Sequence, residues 1–293
     1  MDTTSEFTDR TQPANDRGTE SSSWSLWMRQ TLAILGLEIR KNFFSRRALL
    51  LYPVAGLPLF LVTMLVSFPP DNEEMEAFAL LGQVYALVYN GLILRTLIFF
   101  GCAWVFMNLF RGEVVDRSLH YYFLAPVRRE VLVVGKYLSG LIATIVLFSI
   151  TTVGSMSILY FGLFPSESRS YFFDGAGAGQ MLAYFGVTIL ACIGYGAVFL
   201  IVGLRFRNPI IPGLLLYGWE WINFLLPPGL KKLSVIHYLQ SLVPVPMSEC
   251  PFAVLVEPTA AWIAVPSLIL FTAVVLFLAG LQIRRMEISY AGD

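Results

Sequence analysis

Six long apolar stretches, at 48–68, 84–109, 137–163, 181–204, 209–226 and 261–283, leave this chain few ways to fold. A bilayer core about 30 Å thick takes roughly 20 apolar residues as a helix, and each stretch is close to that length. In hydrocarbon every backbone N–H and C=O has to be bonded within the protein, so an apolar run of this kind spans as a helix. Composition agrees, since 56% of the 293 residues are hydrophobic and 14% charged, against roughly a quarter charged in a soluble domain. The expectation is an all-α integral membrane protein with six transmembrane helices. Its first apolar stretch starts too late and runs too long for a cleaved signal peptide, so it reads as the first membrane helix.

Orientation follows from the basic residues, because positively charged flanks stay on the cytoplasmic side. One set of loops carries Arg40, Lys41, Arg46, Arg47, Arg111, Arg117, Arg128, Arg129, Lys136, Arg205, Arg207, Arg284 and Arg285. The other carries only Arg169, Lys231 and Lys232. The imbalance predicts a multi-pass protein of the cell (inner or plasma) membrane with both termini cytoplasmic. With a formal net charge of zero, no global field recruits nucleic acid. Cys102 and Cys192 lie in apolar stretches and Cys250 in a loop, a scatter that points to core packing and not to disulfides.

Residues 1–23 are polar and without apolar period, which predicts a disordered cytoplasmic tail. In 24–47, Trp24, Trp27, Met28, Leu35 and Ile39 recur on one helical arc with Arg29 and Arg40 facing away, the pattern of an amphipathic interface helix. The six-span domain then covers 48–287, and 288–293 form a cytoplasmic tail. The longest outer connection, 227–258, includes a mixed segment at 230–243 that reads as a short helix lying at or dipping into the interface.

The loop from Phe110 to Lys136 is short, charged and on the basic side. Asp116 can cap a helix over 117–124, and Pro126 disfavours helical geometry at Ala125 and so ends it. A second helix follows, with Glu130 near its start and Lys136 where the third span begins. Leu119, Tyr121, Tyr122, Phe123 and Leu124 crowd a segment outside the bilayer, and exposed apolar groups of that size mark partner contacts. The plainer alternative is that the loop's arginines only set topology.

Those residues resemble the membrane-spanning permeases of the type-2 ATP-binding-cassette (ABC) transporters. The likeness rests on Glu113 closing the second span, Leu-Ala-Pro-Val-Arg-Arg-Glu at 124–130 and Gly135-Lys136 opening the third. Arg128 stands where that family has a small hydroxyl residue. The resemblance implies two six-span units, identical or homologous, each docking a separate ABC ATPase subunit. Docking would use a coupling helix comprising Glu113, Arg117, Leu119, His120, Tyr121, Tyr122, Phe123 and Leu124, together with the helix before the first span. ATP and Mg would be used by that ATPase, with no cofactor bound by this chain, and the family mostly exports. A non-transporting membrane scaffold or anchor is the alternative.

Arg95 lies well inside the second span, where a basic side chain costs about 2.5–3.5 kcal/mol on insertion scales. Glu220, in the fifth span, is a candidate counter-charge, and Asn90 is nearby in sequence. Asn90, Arg95 and Glu220 are therefore expected either to line a translocation cavity or to serve as polar glue between helices. No Gly-x-x-x-x-Gly-Lys-Ser/Thr phosphate loop, His-Glu-x-x-His pair or Gly-x-Ser-x-Gly elbow occurs in the sequence. The expectation is thus a transport subunit that is not itself an enzyme, with no catalytic or metal site.

Overall fold

The computed structural model describes residues 17–68, 74–115, 129–162, 167–206, 208–245 and 258–284, and every regular element among them is helical. The helices are α1 (Arg17–Phe44), α2 (Arg46–Leu49), α3 (Leu51–Ser67), α4 (Glu74–Val88), a π-helical segment (Tyr89–Ile98), α5 (Phe99–Val115) and α6 (Arg129–Gly162). After these come α7 (Glu167–Asp174), α8 (Gly177–Arg205), α9 (Ile210–Ile222), a 3-10 turn (Asn223–Leu225), α10 (Pro228–Lys231), α11 (Val235–Ser241) and α12 (Ala261–Arg284).

Four helical stretches, Leu80–Phe110, Glu130–Gly162, Gly177–Arg205 and Ala261–Arg284, are long and apolar enough to cross a membrane. They coincide with the second, third, fourth and sixth apolar stretches, and the chain is a multi-pass membrane protein. The first stretch forms α3, a 17-residue helix at the short limit for a span. The fifth ends sooner than 209–226 suggests. Its helix α9 has 13 residues, about 20 Å of rise, and the chain leaves it through a 3-10 turn toward Pro227-Pro228.

Directions follow from cross-helix contacts. The Arg284 guanidinium at the end of α12 pairs with Glu130 at the start of α6, and Lys136 Nζ near the start of α6 donates to the Leu109 carbonyl near the end of α5. A Cβ on Gly203, near the end of α8, would stand 2.9 Å from Met107 Cα. The α5, α8 and α12 C-termini and the α6 N-terminus therefore gather at one end of the bundle, together with Lys136, Arg205 and Arg284. Gly203 permits that close approach. Similarly, a Cβ on Gly196 would stand 2.6 Å from the Phe106 ring, and small residues at such crossings are what let membrane helices pack.

The N-terminal helix differs from the expectation in extent and in face. It begins at Arg17, within the expected disordered tail, and ends at Phe44; Ser45 then caps α2 by accepting from the Ala48 N–H at 3.1 Å. Its buried side chains include Ile34 and Glu38, one helical turn apart, whereas Leu35 and Ile39 are only partly covered. This face crosses the start of α6, where Ile34 Cγ2 would stand 3.1 Å from a Cβ on Gly135. Ile34 and Glu38, both outside the expected apolar arc, face inward.

Candidate functional site

Glu220 organises the most distinctive polar site. It stands near the C-terminus of α9, 9% exposed, and its carboxylate accepts four hydrogen bonds. Ser234 Oγ donates at 2.7 Å, the Ile236 N–H at 2.9 Å, the Val235 N–H at 3.1 Å and the Tyr195 hydroxyl at 3.3 Å. The first N–H groups of a helix have no partner within it and carry partial positive charge. Glu220 thus serves as a cap supplied from another helix, fastening the α11 N-terminus to α9. Tyr195 lies ten residues, about 15 Å, from the α8 end at Arg205, so this junction is inside the bundle.

Local structure explains the arrangement. Pro227 and Pro228 open α10, and Asn223 Nδ2 donates to the Lys231 carbonyl at 3.4 Å, closing the excursion that brings the chain back to Ser234. Helix α11 then packs on α8 and α12, with Val235 Cγ1 3.1 Å from a Cβ placed on Gly194. Ile236 and Leu239 are fully buried. Beyond α11, the Thr259 N–H donates to Ser241 Oγ at 3.1 Å, and Thr259 Oγ1 lies 3.2 Å from His237 Nε2. Within the segment 230–243, expected to form a short helix, the structure places α11, and Glu220 holds its N-terminus.

Arg95 belongs to the same neighbourhood. Its guanidinium lies over the Trp221 ring at 5.9 Å, a cation–π distance, and Trp221 follows Glu220 directly. Asn90 is buried and donates to the Ala86 carbonyl of its own helix at 2.9 Å. Both residues lie on the ten-residue π-helical segment. Such segments are mostly single-turn bulges and recur at functional sites; here Thr96 Oγ1 donates to the Gly91 carbonyl five residues back at 2.9 Å.

A seam of hydroxyls runs along the first part of the same stretch. Tyr89 OH donates to the Tyr184 carbonyl at 3.0 Å and lies 3.0 Å from Thr188 Oγ1, which in turn meets Thr152 Oγ1 at 3.0 Å. Tyr85 OH lies 3.2 Å from Ser155 Oγ. The rings of Tyr85, Tyr89 and Tyr184 interlock at centroid separations of 4.4–6.4 Å. The seam joins the α4–α5 stretch to α6 and α8, a role that the aromatic content alone did not reveal.

At the basic end, Lys136 Nζ and Glu38 Oε1 are 2.7 Å apart at 0% and 2% exposure. Lys136 also donates to the Leu109 carbonyl at 3.2 Å and lies 5.4 Å from the Phe110 ring centroid. The Lys136 ammonium thus ties α6 to α1 through the ion pair and to α5 through the Leu109 carbonyl. The residues expected to form the coupling helix, Arg117, Leu119, His120, Tyr121, Tyr122, Phe123 and Leu124, lie outside the described residues. Glu113 falls in the last turn of α5, and its side chain is also outside them. Among the described residues, no group of three or more His, Cys, Asp or Glu is placed to hold a metal ion. No family model, curated protein or solved structure matches this chain.

Proposed function

We propose that the chain is the permease subunit of a type-2 ABC exporter, working as a pair of permeases with separate ATPase subunits that hydrolyse ATP. The observation that supports this most is the Glu38–Lys136 pair. A soluble motor pressing on the segment 116–128 would act on its two flanking helices, α5 and α6. Lys136, paired with Glu38 and donating to the Leu109 carbonyl, links both to α1 near that segment. A buried pair of this kind is costly to break, so the three helices would move as one lever. Six crossings, with α3 and α9 as the first and fifth, complete the reading.

Purifying the full chain in mild detergent and identifying co-purifying proteins tests it. A protein with a Walker motif is expected, and Leu119→Asp is expected to leave membrane insertion intact while abolishing transport driven by ATP hydrolysis. Transport by that variant at the wild-type rate would refute the coupling role. Recovery of a regulatory protein in place of an ATPase would favour the scaffold reading, which draws on the interlocked Tyr85–Tyr89–Tyr184 interior.

A further inference from the structure

We propose that α7 is an interfacial anchor, lying in the phospholipid headgroup region of the leaflet at the end of the bundle opposite Lys136, Arg205 and Arg284. Phe173 enters the acyl boundary and Arg169 meets the lipid phosphates. Depth is the first support. On α6, Gly162 stands about 39 Å along the helix from Lys136. On α8, Gly177 stands about 42 Å from Arg205. Both lengths exceed the hydrocarbon core of about 30 Å and approach the roughly 40–45 Å of a bilayer with its headgroups. Helix α7 (Glu167–Asp174) follows the first of these far ends and precedes the second, so it sits at headgroup level. On α12, Trp262 is 77% exposed about 33 Å from Arg284, the level at which an interfacial tryptophan is favoured. A Cβ on Gly162 would stand 3.0 Å from Val66 Cγ1, which brings the exposed Phe68 at the end of α3 to that level too. Phe68, Phe173 and Trp262 thus come from three separate elements, as a belt around the bundle requires.

The faces of α7 supply the second support. Phe172 is buried, with its ring centroid 5.3 Å from that of Tyr160 and 5.4 Å from that of Phe161. At about 100° per residue, Ser170 and Asp174 fall near the opposite side, and both are exposed. Arg169 and Phe173, one turn apart, share a flank between these faces; Arg169 is exposed, and Phe173 is 73% exposed. A buried base, a polar crown and an aromatic flank suit a helix lying in the interface plane. The crown then meets water and the flank meets lipid, where an arginine reaches the polar level while its stem stays on apolar surface. The helix is also held firmly. Tyr160 OH donates to Gln180 Oε1 at 2.9 Å, and Gln180 Nε2 donates to Tyr171 OH at 3.2 Å. In the turn to α8, a Cβ on Gly175 would stand 2.7 Å from the Tyr171 carbonyl oxygen and one on Gly177 2.8 Å from Phe172 Cα, so the two helices meet through close backbone contact.

The inference requires only that the chain sits in a bilayer, so its failure would leave the permease reading where it stands. Phe173→Cys and Asp174→Cys are made singly in full-length protein with Cys102, Cys192 and Cys250 replaced by alanine. Each is spin-labelled and reconstituted into vesicles of phosphatidylcholine and phosphatidylglycerol. Collisions of the label with oxygen, which concentrates among acyl chains, are compared with collisions with a water-soluble nickel chelate. The oxygen-to-nickel ratio is expected to be several-fold higher at position 173 than at 174, and adding Arg169→Asp should lower the ratio at 173 about twofold. Equal ratios at the two positions, with nickel collisions frequent, would place α7 in water and overturn the anchor. Loss of both kinds of collision at 173 would overturn it as well, by showing that protein covers the flank. An unchanged ratio in Arg169→Asp would overturn the phosphate contact.

Discussion

Glu220 shows how one side chain permits a break in the helical pattern of a membrane protein. Irregular backbone at membrane depth persists only where it is buried in protein and its polar groups are bonded. The start of α11 meets that condition, since Ser234, Val235 and Ile236 are buried and one carboxylate takes two backbone N–H groups, a serine hydroxyl and a tyrosine hydroxyl, whereas residues 227–230 of the preceding turn are exposed. Removing the acceptor strands buried donors at a cost of about 1–3 kcal/mol each. Glu220→Ala is accordingly expected to destabilise the protein by about 3 kcal/mol or more, measured as loss of the folded fraction on detergent denaturation. Glu220→Gln keeps one carbonyl acceptor and should lose less. If alanine and glutamine variants denature together with wild type, Glu220 does not hold α11.

At the scale of elements, α1 and α6 show what was legible in the sequence and what was not. The apolar runs of α6, α8 and α12 announce themselves because burial in lipid demands a continuous run of apolar residues. The junctions between elements leave no such mark. A charge within a span implies an opposite charge nearby, yet the Glu220 carboxylate is satisfied by helix N–H dipoles and hydroxyls, which carry no charge in a sequence. Glu38 and Lys136 are 98 residues apart; Glu38 lies outside the apolar arc of its helix, and Lys136 reads in sequence as part of a Gly-Lys pair. The π-helical register of Tyr89–Ile98 is set by i→i+5 bonding, which composition does not encode. The pair also yields a double-mutant test. Lys136→Ala leaves Glu38 as a buried uncompensated carboxylate, expected to cost about 3–5 kcal/mol. The combination of Glu38→Leu with Lys136→Met should recover most of that stability, because it removes both charges and keeps apolar volume. If the double variant is no more stable than Lys136→Ala, the attachment of α1 rests on packing around Ile34 and Gly135.

For the whole molecule the decisive element is α9, because the number of spans turns on whether it crosses the membrane. Its start lies at the basic end, where a Cβ on Gly213 would stand 2.7 Å from Met107 Cε, and its other end reaches Tyr195 through Glu220. Thirteen residues of helix rise about 20 Å, short of a core about 30 Å thick. A complete crossing therefore needs α9 together with the 3-10 turn and α10 that follow it. Such a crossing gives six spans with α3 and agrees with the C-termini of α8 and α12 lying at one end of the bundle. Single cysteines placed at Arg205 and Gly229, both exposed, test it in a background where Cys102, Cys192 and Cys250 are replaced by alanine. A membrane-impermeant maleimide applied to sealed vesicles of known orientation should label the two positions from opposite sides. Labelling of both from one side would make α9 a re-entrant hairpin and reduce the crossings to five. The two ends of the chain would then lie on opposite sides of the membrane, which a permease docked by both its N-terminal helix and its first basic loop does not require, but which the excess of basic residues at both ends opposes.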